Sequence, residues 1–292
     1  NGTLTAASLS ANQGTISAVL AGGTTLTKTG AGTLILSGNN SYSGTTDVQA
    51  GILQVGAGGS SGLVGTGAIS LAAGTTLAFN GTWAAAANVV SAAISGAGDV
   101  TKSGSGEMSF TGDNSAATGA LTITNGKIGL AGLLSSGFSS VSVAAGATLS
   151  VGEVFVGGTA TIKNLSGAGS IDPTWNATTG TRTLGVNSTL GTTFSGVMAD
   201  GSGSRVLALQ KTGTSTLTLT GTNTYTGATT VSNGILQIGD GQATGEIGTV
   251  STANAVTVSA GATLRFYRTG TLDYLSVNRL KSLAGAGDVI LE

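Results

Sequence analysis

The sequence predicts an all-β protein, a right-handed parallel β-helix, on three observations. The first is self-similarity: residues 26–56 and 209–239 align without a gap, and more than half of their positions are identical. A looser copy runs from Val100 to Leu130, with one extra residue before Gly119. A fixed repeat of this kind is the signature of a solenoid. The second is apolar spacing of two, as at Leu34/Leu36, Leu53/Val55, Leu217/Leu219 and Leu236/Ile238. That spacing puts both members of a pair on one face of a strand. The third is punctuation by glycine, at Gly30, Gly32, Gly38, Gly44 and Gly51 in the first copy. Glycine turns a corner with positive φ at no steric cost, so the strands are short and the sheet coils.

Taken in order, each repeat supplies the same elements. The Lys block (26–56, 100–130, 209–239) holds two apolar pairs, with Leu36, Leu53, Val55, Leu219, Leu236 and Ile238 predicted inside the coil. Ile52 and Gln54 lie on the opposite face, where the third copy has Lys127 and Gly129, which marks that face as wet. A strand–turn–strand block follows at 68–79, 140–151 and 255–266, and a Gly-Ala-Gly corner at 93–100, 164–171 and 282–289. The order recurs, so the chain divides into supermodules at approximately 18–98, 99–171 and 189–287 of one β-helical domain, 1–292. The pattern is cut at both ends and reads as a fragment of a longer solenoid. One stretch, residues 82–94, is Ala-rich enough for a short helix. Against it, the segment is bracketed by Gly81 and Gly96 and has no charges for i,i+4 support. No helical segments alternate with the strands, which excludes βαβ crossovers.

Composition narrows the function. With 51 Gly in 292 residues, 8% charged residues and a net charge of −1, the chain has no basic footprint for nucleic acid. No apolar run reaches the length of a membrane helix. The sequence has no His and no Cys, which removes the commonest general base and metal ligand and all thiol chemistry. What remains is carboxylates. Asp99 and Asp288 follow equivalent corners several turns apart, with Ser170 between them in the series, and Asp172 stands nearby. Such spacing does not make an acid/base pair. No catalytic residue, metal site or cofactor is expected.

Lys28, Lys102 and Lys211 recur at one repeat position and are read as solvent-facing, as are Gln54 and Gln237. A charge there resists edge pairing. Asn40, Asn114 and Asn223 recur likewise and are read as structural, either stacking or satisfying loop backbone. The least repetitive surface is 172–182, with Pro173, Trp175 and Arg182; a second enrichment holds Arg265, Tyr267, Arg268, Arg279 and Lys281. Exposed Trp, Tyr and Arg anchor interfaces, so Trp175, Arg182, Arg265, Tyr267 and Arg268 are the candidate binding residues. Packing or stapling of a turn is the alternative.

The Lys block, with Leu26, Lys28, Gly30, Leu34, Leu36, Gly38, Asn40, Tyr42 and Gly44 and a close at Gly51, Leu53, Val55 and Gly56, resembles the passenger-associated transport repeat of bacterial autotransporters. Residues 209–239 match it nearly throughout, and residues 100–130 match with Ala117 where Tyr42 stands. The resemblance implies a β-helical passenger exported through the outer membrane to the cell surface by a C-terminal membrane barrel outside this chain. It implies an adhesin or self-association segment, whose partner is a host-surface or matrix ligand, protein or glycan, or a second copy of itself. A non-binding stem that drives secretion and displays another domain is the alternative. A polysaccharide-cleaving enzyme is the third reading.

Overall fold

A computed structural model of the protein describes residues 2–84, 88–130, 137–152, 159–175, 179–248, 255–269 and 282–292. Among these there is no helix, and the strand pairing is parallel apart from one isolated antiparallel bridge, Gly201 to Arg205. The described part of residues 82–94 holds the strand Val89–Val90 and the start of the strand Ile94–Gly96; residues 85–87, most of the Ala run for which a short helix is the alternative, lie outside the described residues. The chain forms two units, Asn1–Ser139 and Ser140–Glu292.

In the first unit one sheet orders the strands Gly14–Ile16, Thr33–Leu36, Ile52–Val55, Thr76–Phe79, Asp99–Lys102 and Ala120–Ile123. A second orders Ser8–Ala11, Thr25–Lys28, Thr46–Val48, Ile69–Leu71 and Ile94–Gly96. Successive strands of the chain therefore fall on different sheets, and each sheet gains one strand per turn. That is a parallel β-helix. The second unit repeats it, with Ser140–Val143, Leu165–Gly167, Thr192–Phe194, Thr216–Leu219, Ile235–Ile238, Thr263–Phe266 and Asp288–Leu291 in one sheet. Another holds Thr159–Lys163, Gly180–Asn187, Arg205–Thr212, Thr229–Val231, Ala255–Val258 and Ser282–Gly285.

The register stacks like on like. Leu34, Leu53, Leu77, Val100 and Leu121 form one inward row, and Leu217, Leu236 and Leu264 form the corresponding row of the second unit. All are buried, as are Leu36, Val55, Leu219 and Ile238. Burying a Leu side chain is worth roughly 1.5–3 kcal/mol, so such rows supply most of what holds successive turns together. The opposite face is the wetter one: Ile52 is 37% exposed, and Gln54 and Gln237 are half-buried on it. Their amides fold back to the carbonyls of Gly56 and Gly239.

The Gly-Ala-Gly corners have a definite steric cause. Gly96, Gly167 and Gly285 take φ of 97°, 107° and 113°, and a Cβ on each would strike the carbonyl oxygen of Leu71, Val143 or Val258 in the neighbouring turn. Only glycine fits.

Candidate functional site

The most distinctive chemistry of the repeat lies inside the coil. Lys28, Lys102 and Lys211 have no exposed surface, which corrects the expectation that they face solvent. Lys28 sits in a ladder with Ala11, Val48 and Leu71, and Lys211 between Val186 and Val231. The Lys28 Nζ donates to the carbonyls of Thr29 and Gly30 at 2.7 Å and of Ala50, one turn on, at 2.8 Å. Lys211 Nζ does the same to Thr212, Gly213 and Asn233, at 2.8, 2.9 and 3.1 Å. Lys102 bonds Gly104 and reaches Asn125 at 3.4 Å, with the Trp83 ring centroid 5.9 Å away.

Three carbonyls converging on a corner need three donors, and an ammonium has three. None of these bonds goes to a carboxylate, so the charges are held by backbone dipoles, with the Trp83 ring beside Lys102 as well. Burial accordingly pushes Lys102 and Lys211 down to about 8, and lowers Lys28 as well. The signal was in the sequence: each Lys stands two residues after an inward apolar residue, Leu26, Val100 or Leu209. Alternation by two placed it inside, and the habit of lysine pointed the other way.

The asparagines also join turns. Asn40 Oδ1 accepts from Leu20 N at 2.8 Å and its Nδ2 donates to Leu63 O at 2.7 Å. Asn223 likewise spans Met198 N and Glu246 O, at 2.9 and 2.6 Å, and Asn114 accepts from Ile94 N at 3.2 Å. One carboxamide has both an acceptor and donors, which lets it face the turn before and the turn after. The expectation that these residues satisfy backbone holds. Beside them the buried Tyr42 hydroxyl bonds Thr46 at 2.7 Å, and Tyr225 bonds Thr229 at 2.8 Å. In the third copy, Ala117 and Leu121 replace both partners and are both buried.

The sequence-predicted binding residues separate into two kinds. Trp175 is 6% exposed and Arg182 2%. Arg182 points inward in the row of Leu184 and Val186, its Nη1 on Thr181 O at 3.2 Å. Neither side chain is presented at the surface, because alternation along Gly180–Asn187 turns Arg182 in with its apolar neighbours. Arg265, Tyr267 and Arg268 are brought together at the end of the strand Thr263–Phe266. Tyr267 is 42% exposed. Arg265 pairs loosely with Glu292 at 3.7 Å, and Arg268 holds the carbonyls of Gly245 and Ala243 at 2.7 and 3.0 Å. Arg279 and Lys281 lie outside the described residues.

Two of the carboxylates singled out in the sequence, Asp99 and Asp172, are occupied by backbone and hydroxyls. Asp99 accepts from Ala120 N at 2.8 Å, and Asp172 accepts from Ser150 and Thr174. Among the described residues no group of three or more acidic side chains gathers as a metal site would require. The outer face instead carries polar ladders: Ser10, Thr27, Asp47, Ser70 and Ser95 stack in register in the first unit. In the second, Gln210, Thr230 and Thr257 do so.

The comparisons agree with this architecture. The Passenger-associated-transport-repeat family model matches residues 26–55, 100–128 and 209–238, the three segments that carry the buried lysines. The chain is 36% identical over 265 residues to the "Adhesin BmaC autotransporter" of Brucella suis biovar 1 (strain 1330). That alignment covers 82% of this chain and 7% of the adhesin, so the chain spans a small part of that relative's length. No solved structure matches it. With three transport repeats in a parallel β-helix, the chain is a passenger segment of the bacterial autotransporter family.

Proposed function

We propose that this segment works in adhesion at the bacterial cell surface, after export through the outer membrane, and that it is not an enzyme. The similarity to an autotransporter adhesin over most of the chain carries this reading. The polar ladders supply a physical means. Strands stack about 4.8 Å apart, so a side chain on the outer face is repeated at that interval and weak hydrogen bonds to a partner add by multivalency. The partner is a host-surface or matrix protein or glycan, or a second copy of the segment, with Arg265, Tyr267 and Arg268 as the local anchors. Cells displaying this segment on a membrane barrel are compared with cells displaying the barrel alone, for aggregation and for retention on matrix. Equal behaviour of the two would remove the adhesive reading.

A second reading has its own support. The recurring Lys, Asn and Tyr of the repeat point into the coil, where they join one turn to the next. Those positions serve a stiff stem that displays another domain, and a stem would leave both assays unchanged. The supermodules 18–98, 99–171 and 189–287 are the natural units for truncation in either case.

A further inference from the structure

The corner lysines bear on a chemistry that the adhesive reading does not use. Asn233–Gly234 and Asn125–Gly126 stand where the chain leaves one strand and turns for the next. Gly234 and Gly126 have φ of 65° and 71°. In each pair the glycine N–H donates to the side-chain Oδ1 of its own asparagine, at 2.8 and 2.7 Å. The same peptide bond is touched from inside the coil. Lys211 Nζ donates to the Asn233 carbonyl at 3.1 Å, and Lys102 Nζ to that of Asn125 at 3.4 Å. Both asparagines are exposed to water.

We propose that these corners are sites of self-promoted asparagine deamidation, each activated by the buried lysine of the preceding turn. The glycine nitrogen gives its proton to solvent base and attacks the asparagine Cγ. The bond from Cγ to the side-chain nitrogen breaks, and that nitrogen leaves as ammonia. A five-membered imide remains, which water opens at either carbonyl to aspartate or isoaspartate. The difficult species is the deprotonated amide, whose negative charge spreads onto the asparagine carbonyl oxygen. A preorganised donor aimed at that oxygen stabilises charge as it develops. The ammonium is such a donor, and the Oδ1 contact keeps the nucleophile against the carboxamide it attacks. The product puts a carboxylate at a corner whose only charge before was the buried ammonium.

The chain contains its own controls. Asn80–Gly81 is the same dipeptide, but its carbonyl accepts from the backbone N of Gly58, at 2.9 Å, and not from an ammonium. Ala50–Gly51 occupies the same corner in the first copy, beneath Lys28, and has no carboxamide to lose.

Purified protein is incubated folded and in strong urea near neutral pH, and aspartate and isoaspartate at each pair are followed by peptide mapping. In the folded protein Asn233 is expected to convert about tenfold or more faster than Asn80, with Asn125 between them. In urea the three rates should converge. Asn233 converting no faster than Asn80 in the folded protein would overturn the proposal. Lys211→Met, which suits an apolar row, should slow Asn233 and leave Asn125 unchanged, and an unchanged Asn233 rate in a folded variant would also overturn it. If that variant does not fold, the comparison among the three native pairs still decides.

Discussion

Lys28 and Ala50 lie one turn of the coil apart, and the fully buried ammonium of the first donates to the carbonyl of the second at 2.8 Å. With Thr29 and Gly30 also held, the lysine closes a corner that the backbone leaves unsatisfied. Lys28→Ala removes a buried stem as well as three donors and should cost about 2–5 kcal/mol, as a buried Leu→Ala does. Lys28→Met keeps most of the stem and should lose less, about 1–2 kcal/mol. Denaturant titration measures both. A loss within about half a kcal/mol for the alanine, as at an ordinary surface site, would show that the corner does not need its ammonium.

Stability should rise on the alkaline side of neutrality. Lys102 and Lys211 titrate at about 8 when folded, against an ordinary 10.5. Between those values the unfolded chain binds more protons than the folded one, so unfolding becomes harder as pH increases. Burial raises the Tyr42 and Tyr225 phenols above their usual 10, and above that pH the sign reverses. Unfolding midpoints measured from pH 7 to 11 should therefore pass through a maximum near pH 10. A steady decline from pH 8 upward would contradict the desolvated lysines.

Asn40→Ala and Asn223→Ala each break bonds to the turn before and the turn after. Each should lose about 2–3 kcal/mol, since buried backbone groups are left without partners. Asn40→Asp keeps the acceptor for Leu20 N but turns a second oxygen toward Leu63 O. Its stability should fall as pH rises through the carboxylate range. Equal stability of the aspartate variant at pH 3 and pH 7 would argue against the assigned orientation of Asn40.

For Tyr42 and Thr46 the natural third copy sets the expectation. Tyr42→Phe leaves the Thr46 hydroxyl buried and unpaired, and Thr46→Val does the converse, each at about 1–2 kcal/mol. The double variant should cost clearly less than the sum, because the two hydroxyls leave together and only the backbone contact of Tyr42 with Gly65 is lost uncompensated. Additive losses would mean that the 2.7 Å contact contributes little.

Binding should be distributed. A chain with 8% charged residues steers partners weakly over distance, so affinity should respond mildly to salt and fall steeply as turns are removed. Tyr267→Ala should weaken binding modestly without changing stability by more than about half a kcal/mol. Trp175→Ala, at a buried site, should act on stability at about 3–5 kcal/mol. If Tyr267→Ala abolished binding while loss of a distant supermodule did nothing, the site would be local.

The coil is legible in the amino-acid pattern alone. Leu at spacing two, repeated in register from Leu34 to Leu53, settles which residues share a face, and glycines at 30, 51 and 96 settle where the chain bends. The family resemblance was also legible there, in the Lys block that holds Lys28, Asn40 and Tyr42 and again Lys211, Asn223 and Tyr225. What the pattern left open was the inside or outside of polar residues, since the same alternation that buries Leu26 carries Lys28 inward, and the cost of burying an amine argues against it. Only the tertiary structure resolves that conflict. The carbonyls that stabilise the Lys28 ammonium come partly from its own corner and partly from Ala50, and the second set exists only once the next turn has stacked. Arg182 and Trp175 were misjudged as surface groups for the same reason: burial depends on neighbours one turn away, which residue type alone cannot report.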